Sequence, residues 1–195
     1  NQMTVIAAMA KQTAKGADDV GAYVQGFERR IMGLARSTDL LLAHGRAGVS
    51  LGELVENQIA AFSPLESERV RIEGPAIRLN MQSAQIIGMA LHELATNAVK
   101  YGAFSGDTGA VLVQWTIGNE TLDFAWRETL SEKLAPSERT GFGTTVLRSM
   151  VGRSLGATVE RIWHDYGIEW RFAIPLAAVD PSLVPISDVE RVAAQ

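Results

Sequence analysis

The stretch ALHELATNAVKYGA, residues 90–103, constrains the fold more than any other part of the chain. At helical spacing it places Leu91, Leu94, Ala98 and Tyr101 on one apolar face. Glu93, Asn97 and Lys100 then fall within about one-sixth of a turn of each other, beside that face. Such a helix needs an apolar layer to bury against. Its margin would present an acid, an amide and a base together.

The rest of the chain can supply that layer. It has 195 residues, 47% hydrophobic and 21% charged, the balance of a globular protein of one or two domains. A net charge of -4 gives no basic footprint for nucleic acid. Cysteine is absent, which excludes disulfides, thiolate catalysis and Cys-ligated zinc, and is compatible with a reducing, cytoplasmic compartment. No apolar run approaches the ~18 residues of a membrane span, and no signal peptide is visible. The chain opens on NQMTVIAAMAKQT, already in helical pattern with no start signal, and this reads as a cut inside a helix.

That first helix breaks at KGADD, where Asp18 or Asp19 can cap the next. The second helix carries Val20, Val24, Phe27, Ile31, Leu34, Thr38 and Leu41 at alternating four-three spacing, the seam of a coiled coil or bundle. Two antiparallel helices bury one seam poorly, so pairing with a second copy is expected; the alternative is a hairpin packed on its own domain. After the break HGRAGVS comes a short helix opened by Ser50, and then the pattern changes. RVRIEG and AIRLN are strand candidates ahead of the long helix; VLVQWTI and TLDFAW form a hairpin around GNE. Residues 128–143 have no period, and a helix is expected near 144–154. ATVERIWHD and IEWRFAIPL close as a second hairpin turned by Tyr166 and Gly167. Segregated strands and helices predict an α+β chain whose main domain is an α/β sandwich, one sheet covered on one face by helices. Three segments follow: a helical hairpin over 1–46, a compact domain over 50–178, and a tail over 179–195.

The stripe on the long helix has the chemistry of a Mg-nucleotide site. An amide oxygen is a hard ligand that Mg²⁺ accepts beside water and phosphate. A lysine one turn on can neutralise phosphate, and a carboxylate one turn before can orient or deprotonate a nucleophile. GFGTTVL, residues 141–147, puts two glycines at the end of an irregular loop and before a helix, where unpaired amides favour anions. It matches neither the Walker pattern nor the dinucleotide fingerprint. His164 and His44 match no motif and read as ordinary surface or packing residues.

The two features in this order carry a resemblance. HELATNAVKYGA resembles the N box of histidine kinases and of the wider gyrase, Hsp90, histidine kinase and MutL group, and GFGTTVL resembles the glycine box after their ATP lid. His92 and the WRE at 126–128 look like the marks of the HWE histidine kinases, named for an N-box His and a Trp-x-Glu. NQMTVIAAMAKQT resembles the end of that family's phosphoacceptor motif, so the resemblance runs from residue 1 to about 176.

The resemblance implies a dimerisation and phosphoacceptor hairpin followed by a catalytic ATP-binding domain of the histidine kinase/Hsp90 type. It implies that Asn97 coordinates Mg²⁺ bridging the phosphates of ATP and that Glu93 assists the attacking group. Lys100 and Tyr101 would contact phosphate or sugar, and Glu128 would read the adenine amino group beside His92 and Trp126. Gly141, Phe142, Gly143 and Thr144 would form the phosphate-holding turn. Implied partners are a response regulator, an upstream sensor domain, and a second copy of the chain through the N-terminal helices, with a monomer as the alternative.

Two departures stand out. The family has glycines directly after Trp-x-Glu, where this chain reads Glu128-Thr129-Leu130-Ser131. The phosphoacceptor histidine would lie about four residues before Asn1. The expectation is therefore an ATP-dependent protein-histidine kinase core, with a degenerate phosphotransfer adaptor or scaffold as the alternative.

Overall fold

The computed structural model describes residues 2–15, 17, 19–44, 48–63, 68–133 and 147–180. Two antiparallel helices come first, α1 (Gln2–Lys15) and α2 (Val20–His44). Asp19, one of the two capping candidates, caps α2: its Oδ1 accepts the Ala22 N–H at 2.7 Å; Asp18 lies outside the described residues. Strand β1 (Val49–Ser50) leads into α3 (Leu51–Ala60), then come β2 (Val70–Glu73), β3 (Arg78–Leu79) and α4 (Met81–Tyr101). The hairpin β4 (Ala110–Ile117) and β5 (Thr121–Thr129) follows, as the alternation of VLVQWTI and TLDFAW predicts. A π-helical turn (Arg148–Gly152) runs into one α-helical turn (Arg153–Leu155), where a helix was expected near 144–154; residues 144–146 lie outside the described residues. A second hairpin, β6 (Thr158–His164) and β7 (Gly167–Pro175), closes the sheet.

The main sheet has the order β2-β4-β5-β7-β6, with β2 parallel to β4 and every other pair antiparallel. AIRLN does not join it. Its β3 pairs with β1 as a separate two-stranded ribbon at the base of α4. Side chains alternate along each strand, so one sheet face carries Val113, Phe124, Trp126, Trp170, Phe172 and Ile174, all buried. Against that face lie Ile87, Leu91 and Leu94 of α4 with Val151 of the later helical turn. The apolar stripe of the opening sequence is the inner side of this two-layer sandwich.

Both ends of α4 are tied down. Asn80 Oδ1 accepts the Ser83 N–H at 2.9 Å, and Asn80 Nδ2 donates to the Ala178 carbonyl at 2.9 Å. That second bond fastens the helical turn Leu176–Val179 to the start of α4, so Val179, at the head of the expected tail, is buried core. Residues 181–195 lie outside the described residues. Among the described residues no helix is long and apolar enough to cross a membrane.

The hairpin packs on its own domain. Leu34 of its seam and Met9 of α1 are buried, 4% and 2% exposed, while Val20 and Val24 at the start of the seam stand 78% and 44% exposed. A second stripe on α2, formed by Arg30, Gly33 and Ser37, faces α4 and is buried. The small residues there permit close approach: a Cβ on Gly33 would stand 2.8 Å from the His92 ring, and one on Gly88 would overlap the Ser37 hydroxyl.

Candidate functional site

Along α4 the side chains divide by helical angle, about 100° per residue. Leu91, Leu94 and Ala98 point into the sandwich and are buried. Asn97 is half-buried and Lys100 exposed on the flank. Tyr101, placed on the apolar face by spacing, is 75% exposed. It is the last helical residue, and the chain turns at Gly102 before the sandwich can cover it.

Glu93 does not stand free on that flank. Arg30 Nε lies 3.1 Å from its Oε1 and Arg30 Nη2 3.4 Å from its Oε2, and the two side chains are only 5% and 12% exposed. Arg30 also donates to the Thr13 hydroxyl, which donates to the Met9 carbonyl of α1 at 2.7 Å. Both hairpin helices thus reach the candidate catalytic carboxylate. Burial raises the Glu93 carboxyl above its ordinary range, with Arg30 and Arg29 acting against the shift. Sequence reading missed this pair because Arg30 lies off the heptad seam.

His92 sits on another side of the helix, about 100° round from Glu93. Its ring packs 5.3 Å from that of Phe62 and against Gly33. Burial and the neighbouring Arg36 lower its pKa to about 4, so the imidazole is neutral at physiological pH. The structure brings it together with α2 and not with Asn97.

Trp126 and Glu128 form one unit. Residues two apart on a strand share a face, and both point from β5 toward α4. The Trp126 indole N–H donates to Glu128 Oε1 at 3.0 Å, and the Ala103 N–H donates to Oε2 at 2.9 Å. Gly102 lies over the carboxylate so closely that a Cβ there would overlap Oε2. Glu128 is 3% exposed, and burial raises its pKa against both hydrogen bonds. The Trp-x-Glu signature is here a lock between the end of β5 and the end of α4.

Beyond Glu128 the chain stays in the sheet. Thr129 pairs opposite Ala110 and Gly167, and the Leu130 N–H donates to the Tyr166 carbonyl at 2.8 Å. Gly141, Phe142, Gly143 and Thr144 lie outside the described residues.

His164 proves to be an exposed surface residue on the outer sheet face. Its Nε2 lies 3.0 Å from the buried Glu169, which Arg127 and Arg171 also contact. Burial alone would raise the Glu169 carboxyl, but these hydrogen bonds hold it at about 2.

The donor set suits a metal carried by a substrate. Among the described residues no three His, Cys, Asp or Glu side chains cluster as metal ligands. Asn97 offers one hard amide oxygen on an accessible flank, which suits Mg²⁺ completing its shell with water and phosphate.

This is the fold of histidine kinase ATP-binding domains, preceded by a helical hairpin. The Erythrobacter litoralis EL346 blue-light activated histidine kinase superposes over 90% of this chain and 59% of that one, with a TM-score of 0.66 at 17% identity. Its isolated histidine kinase domain covers 93% of this chain and 100% of its own length, with a TM-score of 0.62. Residues 1–76 match the HWE histidine kinase family. A blue-light-activated histidine kinase of Brucella anthropi is 29% identical over 195 residues, covering 97% of this chain, and that of Brucella ovis is 29% identical over 189 residues. The chain spans about two-fifths of those relatives, 40% and 38% of their lengths. Over residues 1–76 it is similar in sequence to the HWE histidine kinases, and over most of its length it shares the fold of histidine kinase domains.

Proposed function

We propose that this chain is the core of an ATP-dependent protein-histidine kinase in a two-component system. It would move the γ-phosphoryl group of ATP to a histidine upstream of residue 1 and from there to a response-regulator aspartate. The observation that carries this is the accessible Asn97 and Lys100 flank of α4, with Glu93 one turn before it in the grip of Arg30, beside the buried end of β5, in a fold of this type. Asn97 would hold Mg²⁺, which when bound offsets phosphate charge. Lys100 supplies a second cation to the phosphates, and Tyr101 offers an exposed ring and hydroxyl. Glu93 orients the attacking group, and Glu128 with Trp126 shapes the adenine end; Gly141 to Thr144 would close on the phosphates. Positioning and electrostatics account for most of such catalysis. The upstream sensor domain, and a homodimer through the exposed part of the hairpin, belong to the same proposal.

One observation favours the second reading, a phosphotransfer adaptor with weak ATP binding. Where the family carries glycines, Thr129 and Leu130 have side chains and commit their backbone to the sheet. Calorimetry with Mg-ATP on this chain and on Asn97→Ala separates the two. Binding that needs Mg²⁺ and vanishes in the variant supports the kinase; absence of binding at millimolar ATP supports the adaptor.

A further inference from the structure

The five-stranded sheet ends on two edges, β2 and β6. β2 has four residues, too short to template much pairing. β6 is different. It pairs with β7 residue for residue from Thr158 to His164, with no bulge and no proline to spoil its far side. Among the described residues no further strand pairs with it there. None of its side chains is buried, although Val159, Ile162 and Trp163 are among them. A regular, partly apolar edge of this kind is a template for one more strand.

The side chains say which strand. Successive residues alternate between faces, so Glu160, Ile162 and His164 lie on the outer face of β6 and Arg161 and Trp163 on the inner one. The Arg161 guanidinium lies 4.9 Å from the Trp163 ring centroid and 5.8 Å from that of the buried Trp170. A second copy of β6, set antiparallel about a two-fold axis at Ile162, is complementary at every position. Ile162 meets Ile162. Arg161 of each copy stands opposite Trp163 of the other, and Glu160 opposite His164. Other registers that keep the faces matched lose this. One shift sets Arg161 against Arg161, and the next sets Glu160 against Glu160. A shift the other way pairs only Ile162 to His164.

We propose that β6 pairs edge to edge with β6 of a second copy of this chain, in the register centred on Ile162. Two five-stranded sheets then continue as one. The contact uses no residue of the hairpin and none of the Asn97 flank, so it stands whatever that flank binds.

The chain contains no cysteine, so single cysteines report the contact in the whole chain. Opposed residues of antiparallel strands stand about 5 Å apart at Cα, within disulfide reach. Ile162→Cys should therefore form a covalent dimer under mild oxidation. In Glu160→Cys the two cysteines would be offset by about four residues, or roughly 14 Å, and should cross-link at about a tenth of that rate or less. Mixing Glu160→Cys with His164→Cys should give the mixed dimer in preference to either self-dimer, which tests the register without touching Ile162. Adding Val20→Glu and Val24→Glu, which would part a dimer made by the hairpins, should leave the cross-linking unchanged. Circular dichroism checks that each variant folds. Either selective cross-link supports the contact. Absence of both, or their loss in the Val20→Glu, Val24→Glu background, would overturn it.

Discussion

Arg30 on the second hairpin helix grips Glu93 on the central helix of the sandwich with two nitrogens, the closer at 3.1 Å. The pair joins the two parts of the chain through a buried charge, and Thr13 extends it to the first helix. A buried pair is costly to break and cheap to replace as a unit. Arg30→Gln should therefore destabilise the chain by about 3 kcal/mol in urea unfolding. The double variant Arg30→Met with Glu93→Leu should recover most of that loss. Equal destabilisation by single and double variants would show that the pair does not couple the two parts.

Stability should also depend on His92. Its pKa falls from 6.5 when unfolded to about 4 when folded, so the unfolded chain binds the extra proton between those values. The stability this group confers is complete above pH 6.5 and is lost as the pH falls toward 4. The loss should reach about 3 kcal/mol at the acid end. Denaturant midpoints across that range should show it, and His92→Phe should flatten the slope. An unchanged slope in the variant would assign the acid sensitivity to other groups.

Gly102 leaves room for the Glu128 carboxylate. Gly102→Ala should cost about 2 kcal/mol or more, because a methyl group would displace a buried carboxylate from the Ala103 N–H. Gly106, whose Cβ position is open, is the control: Gly106→Ala should be nearly neutral. Thermal melts of the two variants side by side check this.

Thr129→Gly with Leu130→Gly restores the glycines that the family places after Trp-x-Glu. Removing two side chains at the end of β5 should cost about 1 kcal/mol in stability per site. On the kinase reading it should also tighten Mg-ATP. Nucleotide binding that stays undetectable in the double variant, with the fold intact, would favour the adaptor.

Much of the fold was legible without coordinates. Alternation marked both hairpins, and the 3.6-residue period marked α4 and its buried side, because those periods are set by local backbone geometry. The stripe of Glu93, Asn97 and Lys100 was legible for the same reason, but Glu128 was read into an aperiodic loop, whereas β5 runs on to Thr129 and sets it on the same face as Trp126. What lay beyond reach were relations between distant segments. No local pattern says that β3 leaves the main sheet to pair with β1, or that Tyr101 overhangs the sandwich. Nor does one say that Thr129 and Leu130 remain sheet-bonded.

The sequence by itself determined the elements, their apolar faces and the residues set out along one helix flank, since each follows from neighbours along the chain. Only the tertiary structure decided what those residues face. Arg30 and Glu93 are 63 residues apart and His92 and Gly33 are 59 apart, and each pair meets because Gly33 and Gly88 let two helices approach. The partner of a charge and the burial of a histidine are set by packing across the fold, and helical spacing carries no record of that.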